Sequence, residues 1–279
     1  MGGDGGPVPV FLTSGQQTST TLLLAEAAAG RGMETRSLAT PSALSGLSGS
    51  GDRAVHWYGG PLAYDRWVAG ALGLGLLEPP DGWLAALPEE FTARRVELTT
   101  LAEARQVRHP VFVKPPSAKS FPAAVYADGS RLPRTGEDMG PDTPVLVSDI
   151  VTFAVEYRLF VLDGQVVTGS RYAVYGRLDP APLDGDRREP EVRRFADRLL
   201  TAERHSLPSA VTVDVGLVQD PDRGGREQWA VVEANMPWFS HSYAARAENV
   251  LDVVLRAAGP RGWVRREDER FLRGTARVR

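Results

Sequence analysis

The sequence predicts an α+β fold, with a small N-terminal α/β lobe followed by two α+β lobes. Three features lead there. The first ninety residues alternate apolar runs with helical stretches. From Arg95 onward, strands are joined by tight turns, the mark of antiparallel pairing rather than of a doubly wound sheet. Two amphipathic stretches, Glu189 to Arg204 and Tyr243 to Ala258, supply helices to cover those strands.

In chain order, Val8 to Thr13 reads as a strand, and the hydroxyl cluster at Thr13, Ser14 and Thr18 to Thr20 offers N-caps for a helix running from Leu22 to Ala29. The leading G-G-D-G-G precedes this strand and has no helix after it, so it is a tail and not a phosphate loop. Ala39 to Gly51 is a Ser/Gly loop, Ala54 to Tyr58 a short buried strand, and Tyr64 to Leu77 a helix stopped by Pro79-Pro80. Val96 to Thr100 and Val111 to Lys114 are strands flanking a short helix around Leu101 to Arg105. Asp163-Gly164 then closes a type I′ hairpin between Glu156 to Leu162 and Gln165 to Tyr172. A second hairpin pairs Val211 to Val218 with Gln228 to Asn235. No internal repeat is visible. The expected division is 1–90, 91–260, and a basic tail over 261–279 read as a solvated terminal helix.

Composition narrows the function classes. The 279 residues are 42% hydrophobic and carry a net charge of −3, which gives no basic field for nucleic acid. No apolar run reaches the length of a spanning helix and no basic leader precedes one, so the expected setting is cytoplasmic, away from membranes. Nothing excludes a homodimer. With 0 cysteines, any metal must be held by oxygen or imidazole, and oxygen favours Mg²⁺, Mn²⁺ or Ca²⁺. Of 32 cationic residues only Lys114 and Lys119 are lysines, five positions apart, and this proximity suggests a polyphosphate cradle.

Pairing places side chains, because residues equidistant from a turn face each other and i, i+2 share a face. With the second turn centred near Arg223-Gly224, Asp214 opposes Glu233 and Asn235 shares that face. Two opposed carboxylates in apolar runs call for a cation between them, and a divalent ion held by Asp, Glu and Asn oxygens would serve. Unrelated acids on a solvated hairpin are the plainer alternative. The first hairpin is expected to oppose Glu156 to Arg171 with Arg158 alongside, either as a cross-strand salt bridge or as a hydroxyl acceptor beside two phosphate clamps.

In order, these pieces resemble the ATP-grasp superfamily over roughly residues 80 to 250. P-V-F-V-K-P at Pro110 looks like its nucleotide-lysine strand, V-L-V-S-D-I-V at Val145 like its adenine hinge, and V-E-Y-R-L-F-V-L-D-G-Q-V-V at Val155 like its ribose-acceptor strand. V-D-V-G at Val213 and V-V-E-A-N at Val231 resemble its metal motif, and A-N-M-P-W-F-S-H-S the tail of the D-alanyl-D-alanine ligase motif. The resemblance implies two lobes clasping ATP between them. It assigns nucleotide contacts to Lys114, Lys119, Val147, Ser148, Ile150 and Glu156, and Mg²⁺ (or Mn²⁺) to Asp214, Glu233 and Asn235. Phosphoryl stabilisation falls to Arg158, Arg171 and Lys119, and substrate contact to Ser240, His241 and Ser242. The upstream phosphate lysine is missing, and Arg94 or Arg95 is expected to stand in for it; such arginine use resembles a compact bacterial clade of the superfamily. The implied reaction is carboxylate activation as an acyl phosphate, followed by attack of an amine or similar nucleophile, on small-molecule or peptide substrates. A hydroxyl phosphotransferase and a non-catalytic nucleotide-binding module are the alternatives.

Overall fold

The computed structural model describes residues 7–38, 53–60, 62–117, 120–134, 139–220 and 226–274. Three parallel strands open the chain: β1 (Val10–Ser14), β2 (Glu34–Leu38) and β3 (Val55–Tyr58), in the order β2-β1-β3. Helix α1 (Ser19–Gly30) joins the first two. Its N-cap is Thr18, whose side chain accepts the amide of Thr21 at 3.1 Å, as the hydroxyl cluster predicts. Helix α2 (Leu62–Leu72) is shorter than expected, because Gly73 turns the chain at φ +63°. Leu74–Leu76 becomes β4 and pairs with a strand from the far end of the chain. Apolar periodicity over Leu72 to Leu77 fits either state, and only the distant partner decides it.

Single-turn helices α3 (Trp83–Ala86) and α4 (Glu89–Thr92) lead to β5 (Val96–Thr100), α5 (Leu101–Ala104), β6 (Val111–Lys114), β7 (Ala124–Tyr126) and β8 (Pro144–Ser148). Their antiparallel sheet has the order β5-β8-β6-β7. Strands β9 (Thr152–Leu162), β10 (Gln165–Val174) and β11 (Arg177–Pro182), helix α6 (Glu189–Ala202), and strands β12 (Ala210–Asp220) and β13 (Arg226–Asn235) follow. The second sheet is ordered β11-β10-β9-β12-β13. Asp163 and Gly164 have φ of +51° and +76°, the pair of positive values a type I′ turn requires. Helix α7 (Ala247–Ala257) and β14 (Ala258–Pro260), the partner of β4, complete the set.

The faces of the five-stranded sheet separate two cores. Tyr157, Leu159, Val161, Val213 and Val215 pack under α6 with Val192, Phe195 and Leu199. Phe160 and Ala210, on the other face, join α7 and the N-terminal sheet. The C-terminal stretch is not a solvated helix. Residues 261–263 and 266–271 are 3-10 turns, and Asp268, Phe271 and Arg273 are buried. Arg273 pairs with Asp65 of α2 at 3.0 Å and with Glu78, and its backbone amide donates to Leu76 at 2.8 Å. The expected Gly-rich tail, the Ser/Gly loop after Leu38 and the turn at Arg223-Gly224 lie outside the described residues.

Candidate nucleotide and metal site

Register assembles the site. Asp214 opposes Glu233 as expected, and Arg158 on β9 opposes Asp214 from the other side. Glu156, Arg158, Asp214, Glu233 and Asn235 therefore share one face. Lys114, the last residue of β6, reaches across from the four-stranded sheet to the Glu233 carboxylate. Lys114, Glu233 and Asn235 line a cavity of about 470 Å³ whose other wall is Pro115 to Ser117 and Ser120 to Ala123.

The protein itself supplies a cation to each carboxylate, Lys114 to Glu233 and Arg158 to Asp214. Arg158 Nε and Nη2 form a two-point bridge to the Asp214 oxygens at 2.8 and 2.7 Å, with Asp214 only 1% exposed. Burial works against the Arg158 charge, but Asp214 outweighs it and holds the guanidinium pKa above its usual range. Burial likewise raises the Glu233 carboxyl, yet Lys114 and the Asn235 amide, whose Nδ2 donates at 2.7 Å, bring it down to about 2. Opposed acids alone thus do not demand a metal. The donor set nonetheless fits one: Mg²⁺ takes one or two carboxylates and completes its shell with water and phosphate oxygens. Glu233 and Asn235 line the cavity. Asp214 does not line it and would have to release part of its bond to Arg158. Among the described residues no three His, Asp or Glu side chains form a ready cage.

Glu156 is on the expected face, but its partner is not. A bulge between Val166 and Thr168 moves Arg171 opposite Tyr157, and a second between Arg171 and Ala173 puts Ala173 opposite Glu156. Arg171 therefore points to the α6 face, where it bridges Asp186 at 2.9 Å and Asp179 at 3.1 Å. The bulge between Val166 and Thr168 also brings Tyr172 onto the site face, and its hydroxyl donates to Glu156 at 2.7 Å. Burial, together with the Asp214 and Glu233 charges, raises the Glu156 pKa despite that bond. Tyr172 stacks on Tyr243 at 5.2 Å, and the Arg158 guanidinium lies 5.6 and 5.2 Å from the two rings. Tyr243 sits at φ +50°, an unfavourable region for a non-glycine residue. Sequence reasoning missed both tyrosines, since a bulge and a left-handed tyrosine leave no periodic signal.

The S-H-S segment is held against the N-terminal lobe. Ser240 is buried, donates to the Met236 carbonyl at 2.8 Å, and accepts Tyr58 on its own carbonyl at 3.0 Å. Ser242 is buried against Thr20 of α1 at 3.1 Å. Both serines are tied into the fold by these bonds. His241 is exposed, its Nδ1 3.2 Å from Thr20 Oγ1 and its carbonyl 3.4 Å from Arg158 Nη1. Gly60 permits this packing, for a Cβ there would lie 1.8 Å from the Phe239 ring.

Neither upstream arginine reaches the cavity. The Arg95 side chain is 80% exposed beside Glu97, and Arg94 is buried at β13. Val147 and Ser148 end β8, and Asp149 to Val151 carry the chain from one sheet to the other, with Ile150 exposed. Lys119 lies outside the described residues.

No curated protein matches this sequence. Among solved structures, D-alanine–D-alanine ligase from Bacillus anthracis is 12% identical, with 90% of this chain and 97% of that one covered at a TM-score of 0.50. A RimK domain ATP-grasp protein from Sphaerobacter thermophilus is 18% identical, with 89% and 100% covered at 0.45. The first of these likenesses supports the fold and nothing finer. The model of the ATP-grasp domain, family 2 of the R-2-K clade, matches residues 91–253, more than half of the chain. With its two antiparallel sheets facing each other across Lys114 and Glu233, the chain belongs to the ATP-grasp superfamily, in family 2 of that clade.

Proposed function

We propose that this protein is an ATP-dependent ligase that activates a substrate carboxylate as an acyl phosphate and passes the acyl group to an amine or similar nucleophile. Membership of the ATP-grasp superfamily implies ATP and Mg²⁺. The observation that carries the reading is the meeting of Lys114, Glu233 and Asn235 on one cavity, with Arg158 and Asp214 locked behind them. On this reading residues 91–260 form the ATP-grasp domain. Glu233 and Asn235 would hold Mg²⁺, with Asp214 reaching it once it shares its bond to Arg158. The ion, when bound, would neutralise phosphate charge and orient the terminal phosphoryl group.

The chain's own residues supply the rest. Lys114 is 8% exposed and fixed at a strand end, so its ammonium can move from Glu233 to a phosphate oxygen with little ordering cost. Glu156, once Tyr172 shares it, accepts ribose hydroxyls, and backbone groups from Val147 to Ile150 meet the adenine. Arg158 stays charged throughout and faces the developing phosphoryl charge; the planar fork is preorganised by Asp214, so little reorganisation is needed during transfer. No side-chain nucleophile is required, because the substrate carboxylate attacks the γ-phosphorus itself. The test is an ADP-release screen against pooled carboxylates, amino acids and peptides, each with and without an amine. ADP formation that needs both a carboxylate and an amine supports the ligase. ADP formation with a hydroxyl compound alone points to a phosphotransferase, and no turnover with any pool points to a binding module.

A further inference from the structure

Strand β13 carries a fault in its alternation that the site depends on. Val231 opposes Val215 while Glu233 opposes Asp214, so Val232 is an extra residue with no partner across the ladder. Asp214 and Val215 are neighbours and point to opposite faces; Val231 and Glu233, two apart, therefore also point to opposite faces. Val231 is fully buried in the α6 core, and Glu233 and Asn235 line the cavity. In an unbroken strand, residues two apart share a face, and a one-residue slip would bury Glu233 or expose Val231.

The bulge lies on an edge strand, where its outer carbonyls lack a ladder partner. Arg94 meets them. Its Nη1 donates to the Val231 carbonyl at 2.9 Å and its Nη2 to the Val232 carbonyl at 3.3 Å, with Nη1 also bonding the Thr92 carbonyl at 3.0 Å. Ala93, at φ +52°, turns the chain so that Arg94 points inward and Arg95 outward. Thr92 Oγ1 braces the turn by donating to the Arg94 carbonyl at 2.6 Å. The guanidinium lies 5.4 Å from the Phe153 ring and is 7% exposed, and among the described residues no carboxylate forms an ion pair with it. Burial draws its pKa down to about 10, only partly offset by Asp149. Burying a guanidinium on carbonyl oxygens is costly, and two of its three bonds here hold the local course of β13.

We propose that Arg94 is a positioning residue: its guanidinium fork clamps the β-bulge at Val231 and Val232 and thereby sets Glu233 and Asn235 on the cavity face. The clamp stands on geometry alone, and its consequence for Mg²⁺ rests on the reading of the site given above. A lysine cannot replace it, since a single ammonium does not offer two parallel donors to adjacent carbonyls.

The experiment compares the full chain with Arg94→Lys and Arg94→Met by amide hydrogen exchange, and by calorimetric titration of Mn²⁺ in the presence of a non-hydrolysable ATP analogue. The clamp predicts exchange at least tenfold faster over residues 231–235 in both variants, with β9 and β10 within twofold of wild type. It also predicts Mn²⁺ affinity lowered about tenfold. Unchanged exchange over 231–235, or equal acceleration across the whole sheet, would overturn it. Analogue affinity lost with Mn²⁺ affinity retained would also overturn it, by making Arg94 a phosphate contact. Should wild type take up no Mn²⁺, the metal reading falls, and the exchange pattern alone still decides the clamp.

Discussion

The two carboxylates that oppose each other across β12 and β13 are held by different cations, and this gives them different mutational signatures. Asp214 is 1% exposed and bonded twice by Arg158, so Asp214→Asn leaves a buried guanidinium without its counter-charge. A loss of about 3–5 kcal/mol of stability is expected. The Glu233 side chain is 28% exposed at the cavity, and Glu233→Gln keeps its shape and its bond from Asn235. Chemical denaturation should place Glu233→Gln within about 1 kcal/mol of wild type, while ADP formation with Mg²⁺ falls a hundredfold or more. Equal stability losses in the two variants would mean that the Arg158–Asp214 bridge does not carry the difference. Lys114→Met should weaken binding of an ATP analogue at least tenfold, read by calorimetry, because it removes the one lysine placed on the cavity among the described residues. Unchanged affinity would return Lys114 to a structural partner of Glu233.

At the scale of elements, α1 couples the N-terminal lobe to the segment after β13. Thr18 caps the helix, and Thr20, in its first turn, bonds both Ser242 and His241. Thr18→Ala should cost about 1 kcal/mol in a denaturant titration, the usual worth of an N-cap hydroxyl. Thr20→Val should instead loosen residues 240–243, seen as faster amide exchange there with α1 unchanged. The capping cluster and the type I′ turn were legible in the sequence, because each depends on local residue chemistry; the Asp214–Glu233 pairing is the expected one, but the bulge at Val232 lies between it and the turn. The faces of Arg171 and Tyr172 were not legible, since the bulge between Val166 and Thr168 reverses the alternation as far as the second bulge after Arg171, and neighbouring-strand packing sets where a bulge falls. Leu74 to Leu76 failed for a related reason: its partner, β14, lies near the far end of the chain, and no local pattern reports that pairing. Lys114 and Glu233 were both singled out as site residues, but not as partners, because the fold joins them across two sheets.

For the whole molecule, the C-terminal stretch folds back over the N-terminal lobe. His56 on β3 marks this junction: its Nδ1 lies 3.0 Å from the Leu255 carbonyl of α7, and its ring packs near Gly259 and Trp263. Burial lowers its pKa below 6.5, though the carbonyls of Leu255 and Ala258 pull the other way. The folded state therefore binds this proton less readily than the unfolded chain. Stability should be fully present above about pH 6.5 and decline as the pH falls from there toward the folded pKa. Thermal midpoints between pH 5 and 8 should show this slope in wild type and a shallower one in His56→Gln; identical slopes would remove His56 as the cause. The central claim concerns the path of one oxygen atom. With a carboxylate substrate in hand, labelling both its oxygens with ¹⁸O and weighing the products by mass spectrometry shows whether the carboxylate attacked the γ-phosphorus. The acyl-phosphate route predicts one labelled oxygen in the phosphate released, whereas label in AMP, or phosphate with no label, would contradict it.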